Sequence, residues 1–298
     1  MTAKARNPLV CHGHSRPIVE LFFSPETPDG VFLISASKDG KPMLRNGTTG
    51  DWIGTFEGHQ GAVWDVSLNQ TALLAATGSA DFTAKVWDAC TGDELHSFDH
   101  KHIVRSVSFA RDSRRVATGG MEKKIRVFDV NSPGSDPLEI PALPGSIRSL
   151  AWCQDDNLLL ATLSDTPGIR AYDVRTQQLA CTLETEKPVT SLDVCDGGRT
   201  LCTAEAGHVR LWDLATLRAT DVLDVEGFGC EAASYHAGAG RIVAGGQDMW
   251  VHIFDCKSKQ EVDVCKGHHG PVRTVRFDPT GASFASGSED GTIRIWEV

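Results

Sequence analysis

An aromatic–acidic dipeptide closing a short apolar stretch recurs through this chain at a nearly fixed interval. It reads Trp87-Asp88, Phe128-Asp129, Tyr172-Asp173, Trp212-Asp213, Phe254-Asp255 and Trp296-Glu297, with Arg45-Asn46 in the first place. The second members, at 46, 88, 129, 173, 213, 255 and 297, are 42, 41, 44, 40, 42 and 42 residues apart. Seven units fill almost all of the 298 residues. A unit of roughly 40–45 residues cannot bury its own apolar faces, so neighbours must stack. One continuous repeat body over residues 1–298 follows.

The last unit shows what each contains. Gly267-His268 opens it, Val272, Val275 and Phe277 form an alternating stretch, and Pro279-Thr280-Gly281 makes a turn. Phe284-Ala285-Ser286-Gly287-Ser288, the tight turn Glu289-Asp290-Gly291 and Thr292-Ile293-Arg294-Ile295-Trp296 complete it. Three short strands without helical periodicity predict a β-meander. The stretch before each Gly-His, such as residues 51–56 before Gly58-His59, supplies a fourth, outer strand. This wording resembles the WD40 repeat, and the resemblance implies an all-β, seven-bladed propeller with blades ending near Asn46, Asp88, Asp129, Asp173, Asp213, Asp255 and Glu297. Val298 follows an inner strand directly, so residues 7–11 are expected to be the outer strand of the last blade and to close the ring. Pro8 is tolerable there because an outer strand has a free edge.

In the most regular units, His59, Asp81 and Trp87 stand with Ser79 (or Thr77), and His268, Asp290 and Trp296 with Ser286 (or Ser288). The resemblance implies a buried chain of hydrogen bonds from Asp to His to hydroxyl to indole. Such a role is structural, since a buried indole or imidazole needs partners. Unit three has His100 with Glu122, units four and five lack both His and turn Asp, and unit six keeps Asp248, so the middle blades are expected to be held less tightly.

The net charge of −10 argues against broad affinity for nucleic acid or anionic membrane. Nine cysteines, an odd number without Cys-x-x-Cys, are expected to be free thiols in a reducing compartment. The first seven residues form no signal peptide, and the apolar run 158–163 is far too short to span a membrane. A cytoplasmic chain, extending to the nucleus, with no membrane insertion is expected. No phosphate-binding glycine loop is present, and Ser35-Ala36-Ser37-Lys38 matches a catalytic motif by letters alone. His96, His100 and His102, or Cys11, His12 and His14, fit no metal-ligand spacing. No cofactor, no metal and no catalysis are expected.

Blade alignment places two residue sets at the mouth of the central channel. The residue after each inner strand's opening apolar position gives Val19, Trp64, Arg105, Arg148, Thr190, Glu231 and Arg273. The residue before each turn Asp gives Lys38, Ala80, Met121, Asp165, Glu205, Gln247 and Glu289. Arginine and tryptophan are enriched at interface hot spots. Lys38, Trp64, Arg105, Met121, Arg148 and Arg273 are therefore the expected docking rim, suited to acidic peptide segments. The competing reading pairs those arginines with Glu231 and Glu289.

Longer stretches carry a narrower likeness. They are His12-Gly13-His14-Ser15-Arg16-Pro17-Ile18-Val19, Leu33 through Arg45 with its Lys41-Pro42-Met43-Leu44-Arg45, Thr49 through Phe56, Ser79 through Asp88, and His100-Lys101-His102-Ile103-Val104-Arg105. They resemble the serine/threonine-kinase receptor-associated protein (unr-interacting protein) family. The resemblance implies a non-catalytic scaffold, monomeric within a larger complex. It implies work in spliceosomal ribonucleoprotein assembly with the survival-motor-neuron complex, unr-linked translation and receptor-kinase signalling, meeting RNA only through such complexes. Two other readings remain. Gly61-Ala62-Val63-Trp64 is shared with a WD40 subunit of a translation-initiation factor, and Tyr172-Asp173-Val174-Arg175 resembles the adaptor-docking motif of ubiquitin-ligase substrate receptors.

Overall fold

The structure, a computed structural model, describes residues 7–140 and 143–298; the leading segment 1–6 and residues 141–142, with the loop proline Pro141, lie outside it. Seven four-stranded antiparallel sheets are arranged as the blades of a propeller. Within a blade the strands run a to d from the channel outward. The c strands are Met43–Asn46, Thr83–Asp88, Ile125–Asp129, Ile169–Asp173, His208–Asp213, Val251–Asp255 and Ile293–Glu297.

Blade seven is made from both ends of the chain. Leu9–Cys11 pairs antiparallel with Ile293–Glu297 in the register Leu9↔Ile295, Val10↔Arg294 and Cys11↔Ile293. The strand is shorter than residues 7–11. Pro8 precedes it, so no ladder N–H is asked of the residue that has none. An apolar cluster of Ile18, Leu21 and Leu33 from blade one with Ala285, Ile293 and Ile295 from blade seven packs the closing seam. Between blades one and two the same packing brings Ile34, Leu44 and Phe56 against Val63, Val66 and Trp87. The apolar run Leu158–Leu163 is blade four's b strand, buried along its whole length because a blade lies on each side.

Two irregularities repeat. Every a strand carries a register shift after its first residue, as between Val63 and Asp65 or Val104 and Ser106. Five d strands carry another, which leaves Ile53, Leu95 and Val262 unpaired and outward-facing on blades one, two and six. A bulge bends the edge and blunts it against pairing with another sheet.

A cavity of about 1360 Å³ follows the inner strands, where Glu20, Asp65, Ser106, Asp193, Ser234 and Arg276 stand among apolar neighbours and loop residues. Glu20 of blade one accepts from Thr274 at 2.7 Å and pairs with Arg276 of blade seven at 2.8 Å. Asp65 of blade two accepts from the Ser106 hydroxyl (2.7 Å) and the Val107 amide (2.9 Å) of blade three. Burial, then the Glu20 charge, pushes the Asp65 carboxyl up to about 7. All nine cysteines are free thiols, and among the described residues no helix is long and apolar enough to cross a membrane.

Candidate docking site at the channel mouth

The turns that carry the mouth are fixed from beneath by buried hydrogen-bond chains. In blade two, His59 Nδ1 lies 2.7 Å from the Asp81 carboxylate and Nε2 lies 2.6 Å from the Thr77 hydroxyl, which accepts from the Trp87 indole at 2.9 Å. Blade seven repeats this with His268, Asp290, Ser286 and Trp296 at 3.0, 2.8 and 2.9 Å. Burial alone would raise the Asp81 and Asp290 carboxyls, but the hydrogen bonds from His and Thr side chains and nearby amides outweigh it and hold both well below the usual range.

Ser79 does not belong to the chain; the hydroxyl is Thr77. Ser79 is the last rung beside the turn, donates to the Gly61 carbonyl and accepts the Asp81 amide, out of reach of the indole. Ser288 does the same in blade seven. Blade one has a third chain, His14 to Asp39 and Ser35, both at 2.8 Å, with the hydroxyl ending on the Met43 carbonyl. The sequence carried that signal in Gly13-His14 and Asp39-Gly40, but Arg45 in the tryptophan position hid it. Arg45 is buried and donates to the carbonyls of Gly50 and His12, tying blade one to the strand that closes the ring.

Blades five and six replace the chain rather than lose it. Glu205, fully buried, is no mouth residue. It accepts the amides of Glu186 and Lys187 at 3.1 and 3.2 Å, the place a turn Asp takes elsewhere, and pairs with Arg210. The longer side chain reaches down from one position earlier. In blade six, His252 sits between Glu261 (2.7 Å) and Asp248 (2.8 Å), stacked on Phe228 with ring centroids 4.0 Å apart.

The a-strand bulges explain the mouth. The residue each bulge leaves out of the ladder is Val19, Trp64, Arg105, Arg148, Thr190, Glu231 or Arg273, and a bulge re-aims its side chain. The predicted rim residues do not behave alike. Arg273 is held by Glu289 at 2.7 Å and Glu231 at 3.0 Å, and Glu231 also accepts from Gln247 at 2.7 Å. Arg148 donates to the Thr190 carbonyl at 2.9 Å and lies 3.9 Å from Glu231. On the other side, the Arg105 guanidinium lies 4.4 Å and the Lys38 ammonium 5.5 Å from the Trp64 ring centroid. Trp64 Nε1 and Arg105 Nε have no hydrogen-bond partner among the described residues. Burial, then the Arg148 charge, pushes the Arg105 guanidinium down. Met121 stands exposed beside them, its amide on the Ile103 carbonyl. The mouth thus has a neutralised arc and a cationic one. No group of three or more His, Cys, Asp or Glu side chains among the described residues could hold a metal.

The fold and its His–Asp turns define the class, a WD40 β-propeller. The family model described as "WD domain, G-beta repeat" matches residues 50–88, 92–129, 177–213 and 259–297. Serine-threonine kinase receptor-associated protein from Dictyostelium discoideum is 45% identical over 98% of this chain and 99% of its own length. The protein of that name from Homo sapiens is 44% identical over 99% of this chain and 84% of its own. The chain belongs to the serine-threonine kinase receptor-associated protein family. Eukaryotic translation initiation factor 3 subunit I from Drosophila sechellia is more distant, 29% identical over 97% of this chain and 95% of its own length.

Proposed function

We propose that this protein is a non-catalytic scaffold, one copy per complex, that docks acidic segments of partner proteins on the Lys38–Trp64–Arg105 arc. One observation carries the reading. On that arc the Lys38 ammonium and the Arg105 guanidinium lie over the Trp64 ring with no carboxylate beside them, whereas Arg273 across the channel is already paired with Glu231 and Glu289. A carboxylate supplied by a partner would complete the set with charge-assisted hydrogen bonds. The Arg148 and Arg273 side of the rim shapes the mouth and contributes little binding, as internally paired charges do.

Among the roles attached to the family, assembly of ribonucleoprotein complexes in cytoplasm and nucleus is the one we assign first, with RNA met through partner proteins. It asks only for a propeller that holds other proteins. A net charge of −10 fits a scaffold that does not itself hold RNA. The second reading, an initiation-factor subunit, is favoured by the 29% likeness to subunit I and would place the chain with ribosomal fractions.

Quantitative affinity purification from native extract compares wild type with Lys38→Glu/Arg105→Glu and with Arg273→Glu. The first variant is expected to lose its partners by at least tenfold, about 1.4 kcal/mol, and the second to keep most of them. Unchanged recovery with the Lys38/Arg105 pair reversed removes the docking assignment.

A further inference from the structure

Phe82 occupies the tip of blade two's b–c turn with φ +72°, and its side chain is exposed. The same turn position in blades one and seven is glycine, Gly40 (φ +81°) and Gly291 (φ +79°). Glycine enters this left-handed region freely, whereas a phenylalanine there is strained and leaves much of its ring exposed. Strain that the fold does not need points to a use outside the fold. The Phe82 ring lies 5.5 Å from the His102 ring, and its carbonyl accepts the His100 amide at 2.8 Å. His102 and Ile103 lead into Arg105, and the Ile103 carbonyl holds Met121. Phe82, His102 and Met121 therefore continue the Trp64–Arg105 arc outward across blades two and three.

Charge complementarity selects the occupant. The side-chain charges of Arg16, Lys38, Lys101, Arg105 and Lys123, on blades one to three, make no ion pair with a carboxylate among the described residues. Blade six also has a strained apolar tip, Met249 (φ +72°), but there the neighbouring Lys266 lies 3.8 Å from the Trp250 ring centroid and Arg273 is bound by two glutamates.

We infer that the surface from Trp64 to Phe82 binds an acidic linear segment carrying an apolar or aromatic anchor, with the acids over Lys38 and Arg105 and the anchor between Phe82, His102 and Met121. The inference rests on the docking reading above and adds the anchor and its place. A single-stranded nucleic acid fits less well. The Trp64 ring that would stack a base is already approached by two cations, and the chain as a whole repels phosphate.

Fluorescence anisotropy with three fluorescein-labelled twelve-residue probes tests this. One is an Asp/Glu peptide with a central Phe and Leu, one its twin with Ser at both anchor positions, and one a uridine oligonucleotide. A basic peptide serves as the baseline. The anchored peptide is expected to bind roughly tenfold tighter than its Ser twin. Phe82→Gly should erase that ratio with an unchanged or higher Tm, because glycine suits the turn. Lys38→Ser/Arg105→Ser should weaken both peptides alike. If the two acidic peptides bind equally, or Phe82→Gly leaves their ratio intact, the anchor is overturned while acidic docking stands. If neither acidic peptide outbinds the basic one, both readings fall. Tighter binding of the oligonucleotide than of either peptide assigns the face to RNA and overturns the inference.

Discussion

Blades two and five solve one problem with different chemistry. Each must fix the loop entering its a strand against the b–c turn. Blade two uses a neutral-length relay in which Asp81 takes His59 and the Gln60 amide, and His59 passes on to Thr77 and Trp87. Blade five keeps the last link, Thr203 to Trp212 at 3.0 Å, drops the histidine, and lets Glu205 take the loop amides directly while Arg210 neutralises it. Amide capture by an anion is what both retain. The histidine is one way of holding that anion, and a half-buried guanidinium is another.

Deletion of residues 1–12 tests both against the one blade assembled from two chain ends. It removes the strand paired to Ile293–Glu297 and bares the closing seam, so Tm is expected to fall by about 10 °C or more, measured by thermal melting. An unchanged Tm would mean that the ring stays closed on apolar packing alone.

Glu205→Ala should cost more than His59→Ala. The first leaves the Glu186 and Lys187 amides without an acceptor and Arg210 with Glu186 alone, about 4 kcal/mol. The second leaves the Asp81 carboxylate and the Thr77 hydroxyl each short of a partner while the indole keeps Thr77, about 2 kcal/mol. Denaturant unfolding orders them, and a smaller loss for Glu205→Ala would show that the arginine adds little.

The pH profile separates turn from channel. Asp81 and Asp290, held low, contribute stability that is present above the usual carboxylate pKa near 4 and lost as pH falls below it. Asp65, raised to about 7, acts in the opposite sense: the folded chain binds its proton more tightly, so stability declines as pH rises from about 4 towards 7. Asp65→Asn keeps an acceptor for Ser106 and Val107 and should flatten that decline; an unaltered slope across pH 4–7 would assign it to another group.

The smallest difference lies within one strand. Thr77→Val should cost about 2 kcal/mol by stranding His59 and Trp87, and Ser79→Ala about 1 kcal/mol or less. Equal losses would contradict the division of labour between the two hydroxyls.

The distribution of turn and alternating residues was enough to specify seven meanders, because a strand's side-chain period and a turn's backbone demands are local. The spacing of the seven closing dipeptides, from Arg45-Asn46 to Trp296-Glu297, set the blade count, because a unit of that size must stack on neighbours. Closure was legible too, since residues 7–11 precede the first Gly-His as an outer strand does in later units, and Leu9–Cys11 pairs with the last c strand. Which hydroxyl serves the indole was not legible. Ser79 and Thr77 lie on the same face of one strand, and only the distance to Trp87 in three dimensions separates them. Glu205 looked like a mouth residue because a longer side chain one position early satisfies the same amides, which composition cannot show. The division of the mouth into paired and unpaired arcs depends on Arg273 and Arg105 standing on blades four apart in the chain, with glutamates near one and an indole near the other. Charge pairing is decided by distance through space, and sequence order carries no information about it until the ring has closed.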